Sequence, residues 1–309
     1  MSFSLGQYAW FFIAILSYLF FAISSLGDKI LLARSPKPRA YTFYVSLLSV
    51  IAIFAIPFVD FDLPSGIAAL WIVLDAIIYI AGLFGLFSAL EKFDASSVVP
   101  AIGAAQPIFI FGLTYVFWGP QPLGVREILA FGLLLIGTLL ISIDQDSRIF
   151  TKESLKLSLV TATLFSMDFV FSKFIFLDQP FWQGFIWIRI TTFIMAIFLL
   201  LNKNFYRDIF ESKEKVSQQT GAIFFLAQGA GGAATVLQSF AIALVPIVYL
   251  PFMNALKGLQ YAFVFIFVVF FTFYFPKLLK EKVTLAVIAQ KTISILVIAL
   301  GLAILFLQY

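Results

Sequence analysis

The sequence predicts an all-α integral membrane protein with ten transmembrane helices arranged as two inverted five-helix repeats. Three observations carry that expectation: the composition, a series of ten long apolar runs, and the side of the chain on which the basic residues fall. Of 309 residues, 62% are hydrophobic and 12% are charged, whereas soluble domains carry roughly 45–50% and about 25%. A spanning helix takes about 20 apolar residues, so ten of them use about 200 and leave about a hundred for connections. A water-soluble globular fold is excluded, and no sizeable soluble domain fits beside the helices.

The runs cover residues 7–32, 40–58, 67–90, 96–118, 124–143, 155–177, 181–201, 220–244, 245–275 and 283–307. Charges or prolines separate them. The first stops at Arg34-Ser35-Pro36-Lys37, the second at Pro57 and Asp60, the third at Glu91-Lys92, and the fourth at Gly119-Pro120-Gln121-Pro122. The fifth gives way to Asp144-Gln145-Asp146, the sixth to Asp178-Gln179-Pro180, and the seventh to Asn202-Lys203. Pro246 divides the eighth from the ninth, and Pro276-Lys277 through Glu281-Lys282 divide the ninth from the tenth. These runs are too long and too uniformly apolar for the alternating strands of a barrel, which leaves helix. The first run has neither a basic leader nor a small-residue cleavage site, so it reads as a retained helix and not a signal peptide.

With ten helices, one side of the membrane receives Lys29, Arg34, Lys37, Arg39, Lys92, Arg148, Lys152, Lys156, Lys203, Arg207, Lys213, Lys215, Lys277, Lys280 and Lys282, and the other receives Arg126 alone. Lys and Arg concentrate on cytoplasmic loops. That side is therefore expected in the cytoplasm, with both termini outside the cell membrane. The same rule accounts for the net charge of +4 without nucleic acid as a partner. The chain has no Cys and no His, which removes disulfides, thiolate nucleophiles, imidazole catalysis and the usual zinc, iron–sulfur and haem ligands. No metal, cofactor or enzymatic activity is expected. The 40 Phe residues suit a lipid-facing surface.

Polar residues repeat between the two halves. Phe21 to Lys29 has the same Phe-to-Lys spacing as Phe165 to Lys173, and Gln106 in 100–109 matches Gln260 in 254–263. Arg126-Glu127 pairs with Lys280-Glu281, and Ile136-Gly137 with Leu300-Gly301. The expected units are 1–150 and 151–309. Five helices per unit force the second to insert upside down relative to the first, an arrangement common among secondary transporters and suited to alternating access.

The run Ala89-Leu90-Glu91, Ala95-Ser96-Ser97-Val98-Val99-Pro100, Gln106-Pro107 and then Leu129 to Ser142, with Asn254 to Tyr261 and Pro276 to Glu281 in the second half, resembles the drug/metabolite transporter superfamily, in particular its EamA-type ten-helix members. The resemblance spans essentially the whole chain and implies two five-helix halves and small-molecule transport. Two features depart from the family pattern. Gly119-Pro120-Gln121-Pro122 stands where Leu-Gly-Glu is usual, and the charge rule puts the termini outside whereas family members usually have them in the cytoplasm.

Ionisable groups inside spanning helices are expensive and default to functional candidates. By helix rise, Asp168 and Lys257 lie roughly 16–18 Å from their helix starts, and Asp75, Arg189 and Lys291 about 12–13 Å in. Lys257 with Asn254 and Gln260 is the first candidate for solute contact, on a helix carrying Pro251 and Gly258. The matching helix carries Gln106 among Pro100, Gly103 and Pro107, and Gly/Pro-interrupted helices at corresponding positions point to a transporter's central site. Arg189 and Lys291 are further candidates, suited to a carboxylate or phosphate. Asp75 and Asp168 are coupling groups or counter-ions. Lys29 and Lys173, near helix ends, are expected to snorkel. The small-residue stretch 228–234 reads first as close helix packing, with Gln228 and Gln238 extending a polar stripe into the cavity.

The excess of cations predicts a secondary transporter for a small anionic or zwitterionic metabolite, with the bilayer and the solute as partners and a monomer sufficient to enclose the cavity. The alternatives are an exporter of lipophilic or cationic drug-like compounds and a non-transporting scaffold. An intramembrane enzyme ranks last, because the needed chemistry is missing. No Gly-rich loop with Lys-Ser/Thr is present for ATP.

Overall fold

The computed structural model describes residues 8–32, 37–93, 95–142, 151–210, 218–274 and 284–306, and among them no strand occurs. The helices are α1 (Ala9–Leu32), α2 (Pro38–Leu47), α3 (Gly66–Lys92), α4 (Ala95–Trp118), α5 (Val125–Ser142), α6 (Lys152–Asp178), α7 (Phe181–Leu199), α8 (Lys203–Phe210), α9 (Gln218–Leu244), α10 (Leu250–Ala255), α11 (Lys257–Tyr274) and α12 (Leu285–Phe306). Nine stretches among the described residues are long and apolar enough to cross a membrane. The chain is an all-α, multi-pass membrane protein. α9 equals the longest of these stretches at 27 residues, but Gln228, Gln238 and four glycines dilute its apolar character.

Three departures from the expected segments have local causes. The second segment begins as α2 with Pro38 in its first turn and continues as a 3-10 stretch, Leu48–Phe58. The wider 3-10 rise of about 2.0 Å lets it cover the bilayer core with few residues. α8 was not expected. It is an eight-residue amphipathic helix with Asp208 and Ile209 buried, too short to span. The ninth segment is broken into a 3-10 turn (Ile247–Tyr249), α10 and α11.

The helix ends are chemically specified. Ser65 and Thr151 cap α3 and α6 by accepting from the third backbone amide of each helix. α4 ends on Gly119 at φ +79°, the left-handed conformation that favours glycine, and the Gln121 side chain donates to the Trp118 and Gly119 carbonyls. The Gly-Pro-Gln-Pro sequence is therefore a helix stop. At the other end of the molecule, Lys37 and Arg39 each meet one oxygen of Asp208 at 2.9 Å and tie α2 to α8.

Hydrogen bonds from Lys37 and Arg39 hold the Asp208 carboxyl below the usual carboxylate range. A lowered folded-state value contributes stability that is present above the ordinary carboxylate range and is lost as pH falls through the lowered value. The stability difference between the native chain and Asp208→Asn is therefore expected to be constant near neutrality, to start falling near about pH 4 and to vanish once pH is below the lowered value. Thermal unfolding across pH checks this; the effect is small, because both cations are solvated.

The most extensive pairings are α1 with α9, α3 with α6 and α5 with α12. Counting segments, these are one–eight, three–six and five–ten. Exchanging the halves turns the first pairing into the second and leaves the third unchanged. The pair α4–α6 likewise exchanges with α1–α11. Close approach is concentrated where small residues meet. A Cβ on Gly137 would lie 2.5 Å from Ile298 Cγ1 and 3.0 Å from its backbone nitrogen. Among the described glycines of α9 only Gly231 works this way, against Ser24, because a Cβ on Gly229 or Gly232 would meet nothing within 4 Å.

Candidate functional site

The break between α10 and α11 falls at Leu256, immediately before Lys257. Pro251 fixes the start of α10. After the break Leu259 N donates to Leu256 O at 2.8 Å, a three-residue step in place of the four-residue α-helical one. Carbonyls around such a break need other donors. The Tyr18 hydroxyl of α1 donates to Met253 O at 2.9 Å, and the Thr138 hydroxyl of α5 donates to Ala255 O at 3.1 Å. The sequence pattern did not single out these hydroxyls; the signal available was a Tyr or Thr in an otherwise apolar run.

Lys257 Nζ donates to Gln106 Oε1 of α4 at 2.9 Å. This contact joins two candidate residues on corresponding helices of the halves, although the residue matched to Gln106 by position is Gln260. α4 runs unbroken, but Pro107 has no N–H to offer the Gly103 carbonyl. Gly103 is needed here, since a Cβ on it would lie 2.6 Å from the Tyr261 hydroxyl. Asn254 is 3% exposed. Its Oδ1 and the Tyr261 hydroxyl have no hydrogen-bond partner, and both residues lie within a turn or so of Lys257. Buried polar atoms without partners call for an explanation, and a bound polar solute supplies one. The Gln260 amide turns to α1 and donates to Ser25 Oγ at 3.0 Å. The Gln238 side chain lies beside the Tyr18 hydroxyl, and Gln228 donates to Tyr41 of α2 at 3.5 Å. The two α9 glutamines thus address different helices and form no common stripe.

The other cations lie elsewhere. Lys173 is 3% exposed and does not snorkel. Its ammonium donates to Ile242 O, Ala243 O and Val245 O at 3.1, 3.0 and 2.7 Å, closing the C-terminal end of α9. Lys291 donates to Ile141 O, and Gln290 to Leu140 O, in the last turn of α5. Lys291 is thus placed as a donor to the end of α5. The Lys29 side chain falls outside the described residues. Arg189 lies 5.3 Å from the ring centroids of both Tyr79 and Phe185, with Asp75 and Asp168 as its electrostatic neighbours. Asp75 is fully buried and accepts a 3.3 Å hydrogen bond from Ser172. Arg189 is therefore the cation that acts on both carboxylates, and Lys257 takes a neutral amide.

The end at which α4 and α6 finish is filled with rings. Phe174 stacks between Trp71, at 4.7 Å and 6°, and Trp118, at 4.2 Å and 20°.

Residues 8–143 match the model of the EamA-like transporter family. None of the curated proteins matches the chain. Among solved structures, one titled only as the crystal structure of a protein covers 97% of this chain and 96% of its own, with a TM-score of 0.70 and 16% identity. That likeness shows a shared fold alone.

Proposed function

We propose that the chain, whose residues 8–143 match the EamA-like transporter family, moves a small anionic or zwitterionic metabolite across the cytoplasmic membrane by alternating access. The observation that carries this reading is Lys257, set at a helix break in mid-membrane and held by a neutral amide from the opposite half. An ammonium paired with an amide keeps its charge available to a solute, and the amino end of α11 adds partial positive charge beside it. Asn254 and Tyr261 supply unpartnered polar atoms.

The units 1–150 and 151–309 act as inverted repeats in this reading. The exchange of helix pairings between halves supports it, and such symmetry gives each half access to its partner's conformation. The distribution of Lys and Arg supports a cytoplasmic location for the basic loops, with the termini outside. The lack of Cys and His supports a non-enzymatic role.

Lys257→Ala is expected to leave a folded, extractable protein. It should abolish the stabilisation by anionic or zwitterionic metabolites in a thermal-unfolding screen of the purified chain. At about 100 times its Kd, a solute adds about 2.7 kcal/mol. Stabilisation by cationic compounds alone, or loss of the fold on substitution, overturns the assignment.

A further inference from the structure

α8 follows a spanning helix at once: α7 ends at Leu199 and α8 begins at Lys203, which sets the short helix at the membrane surface. Its rotation is fixed from the inner side. Asp208 meets Lys37 and Arg39, Ile209 is buried beside it, and the Phe205 ring lies 5.8 Å from Phe84 of α3 and 5.9 Å from the Arg39 guanidinium. With 3.6 residues per turn, Lys203 and Arg207 then share one outward stripe and Tyr206 and Phe210 the next, about 60° round the helix. Tyr206 and Phe210 are 53% and 60% exposed with rings 4.9 Å apart, and Leu201 in the preceding turn is 80% exposed. A helix of this pattern suits the boundary between lipid headgroups and acyl chains.

The corner is also positively charged. Among the described residues its ion pairs are those of Asp208, so Lys203 and Arg207 have no acidic partner. Lys37, Arg39, Lys203 and Arg207 against Asp208 leave an excess of three cations. Glu91 and Lys92 at the end of α3 cancel, as do Glu211 and Glu214 against Lys213 and Lys215 further along the sequence. Lys203 and Arg207 border a cleft of about 480 Å³ that is otherwise lined by Leu200, Leu201, Asn204 and Tyr206.

We propose that the cleft at the α7–α8 turn holds the headgroup of an anionic phospholipid, with Lys203 and Arg207 on its phosphate and Tyr206, Phe210 and Leu201 against its glycerol and upper acyl chains. A dissolved anion would use the two cations and leave the aromatic pair and Leu201 in water, whereas a lipid accounts for both stripes at once. By the Lys/Arg distribution this corner is expected to face the cytoplasm, the leaflet whose anionic lipids attract basic segments. Asp208 acts here as a positioning residue: it occupies Lys37 and Arg39 on the inner side and so turns the other two cations outward. The inference needs only that the chain spans a membrane, and it stands apart from the solute site at Lys257.

The test titrates lipid into the purified full chain in an uncharged detergent, with no metabolite present, and follows thermal unfolding. Phosphatidylglycerol is expected to raise the unfolding temperature saturably; phosphatidylcholine and inorganic phosphate are not. The double variant Lys203→Gln/Arg207→Gln should weaken the phosphatidylglycerol response about thirtyfold, the attraction of two surface cations. Lys152→Gln/Lys156→Gln removes the same charge at exposed positions of α6 and should change it by less than about threefold, since separated surface charges are screened. Tyr206→Ala/Phe210→Ala should weaken it with the basic stripe intact. Where a double variant fails to fold, Lys203→Gln and Arg207→Gln carry the test singly, at about fivefold each. Equal weakening in the two charge variants shows attraction by overall charge and overturns the site. No response to phosphatidylglycerol, or an equal response to phosphatidylcholine, overturns headgroup recognition. An equal response to inorganic phosphate, or a full response in Tyr206→Ala/Phe210→Ala, replaces the lipid with a dissolved anion.

Discussion

Lys173→Ala is expected to destabilise the chain more than any other single substitution of a membrane-embedded cation. One ammonium serves three carbonyls at the end of α9, and truncation leaves acceptors in an apolar setting with no donor. Removing one partner from a buried charged contact costs about 3–5 kcal/mol, and each orphaned polar group about 1–3 kcal/mol. The protein should lose its monodisperse chromatographic profile in detergent or unfold at a markedly lower temperature. Lys173→Arg, which keeps the donors, should recover part of the loss. Wild-type-like unfolding of Lys173→Ala would show that the ammonium reaches water and that the end of α9 is solvated.

Gly258→Ala is the second large effect expected. A methyl group there collides with the Thr138 hydroxyl and lies 2.8 Å from Ile298 Cδ1, and Thr138 is the residue that serves the Ala255 carbonyl. The substitution therefore overpacks the α5–α11–α12 contact and displaces a hydrogen bond at the helix break. Overpacking typically costs about 1–3 kcal/mol. The site should suffer beyond this, since Lys257 is the adjacent residue. Thermal unfolding and metabolite stabilisation measured together check it: both fall in Gly258→Ala, whereas Gly229→Ala, with nothing within 4 Å of its added carbon, leaves both unchanged.

The helical membrane architecture was legible because it is written in bulk properties that do not depend on partners: run length, hydropathy and the side of the basic residues. The interruption of the ninth segment was legible from Pro251 and Gly258, and Gln106 and Lys257 were both candidates on corresponding helices, but equivalent placement matched Gln106 to Gln260 and not to the lysine it meets. Allocation of the cations was not. In sequence Lys173, Arg189, Lys257 and Lys291 are four similar charges in apolar runs. Whether each meets a carbonyl, a carboxylate or an amide depends on which helix end lies opposite, and that is set by packing between residues as much as 151 positions apart. The hydroxyls of Tyr18 and Thr138 were invisible for a related reason. Their role exists only once α10 breaks and exposes acceptors to them.

The way those two hydroxyls hold the break has a consequence for hydration. Both acceptors are backbone carbonyls and both donors come from other helices, α1 and α5. A water molecule can take over from either hydroxyl without any helical turn being unwound, because the acceptor requires only a donor and not a particular one. The junction at Leu256 can thus be wetted from whichever face opens, while the regular turns of the helices around it keep their carbonyls engaged.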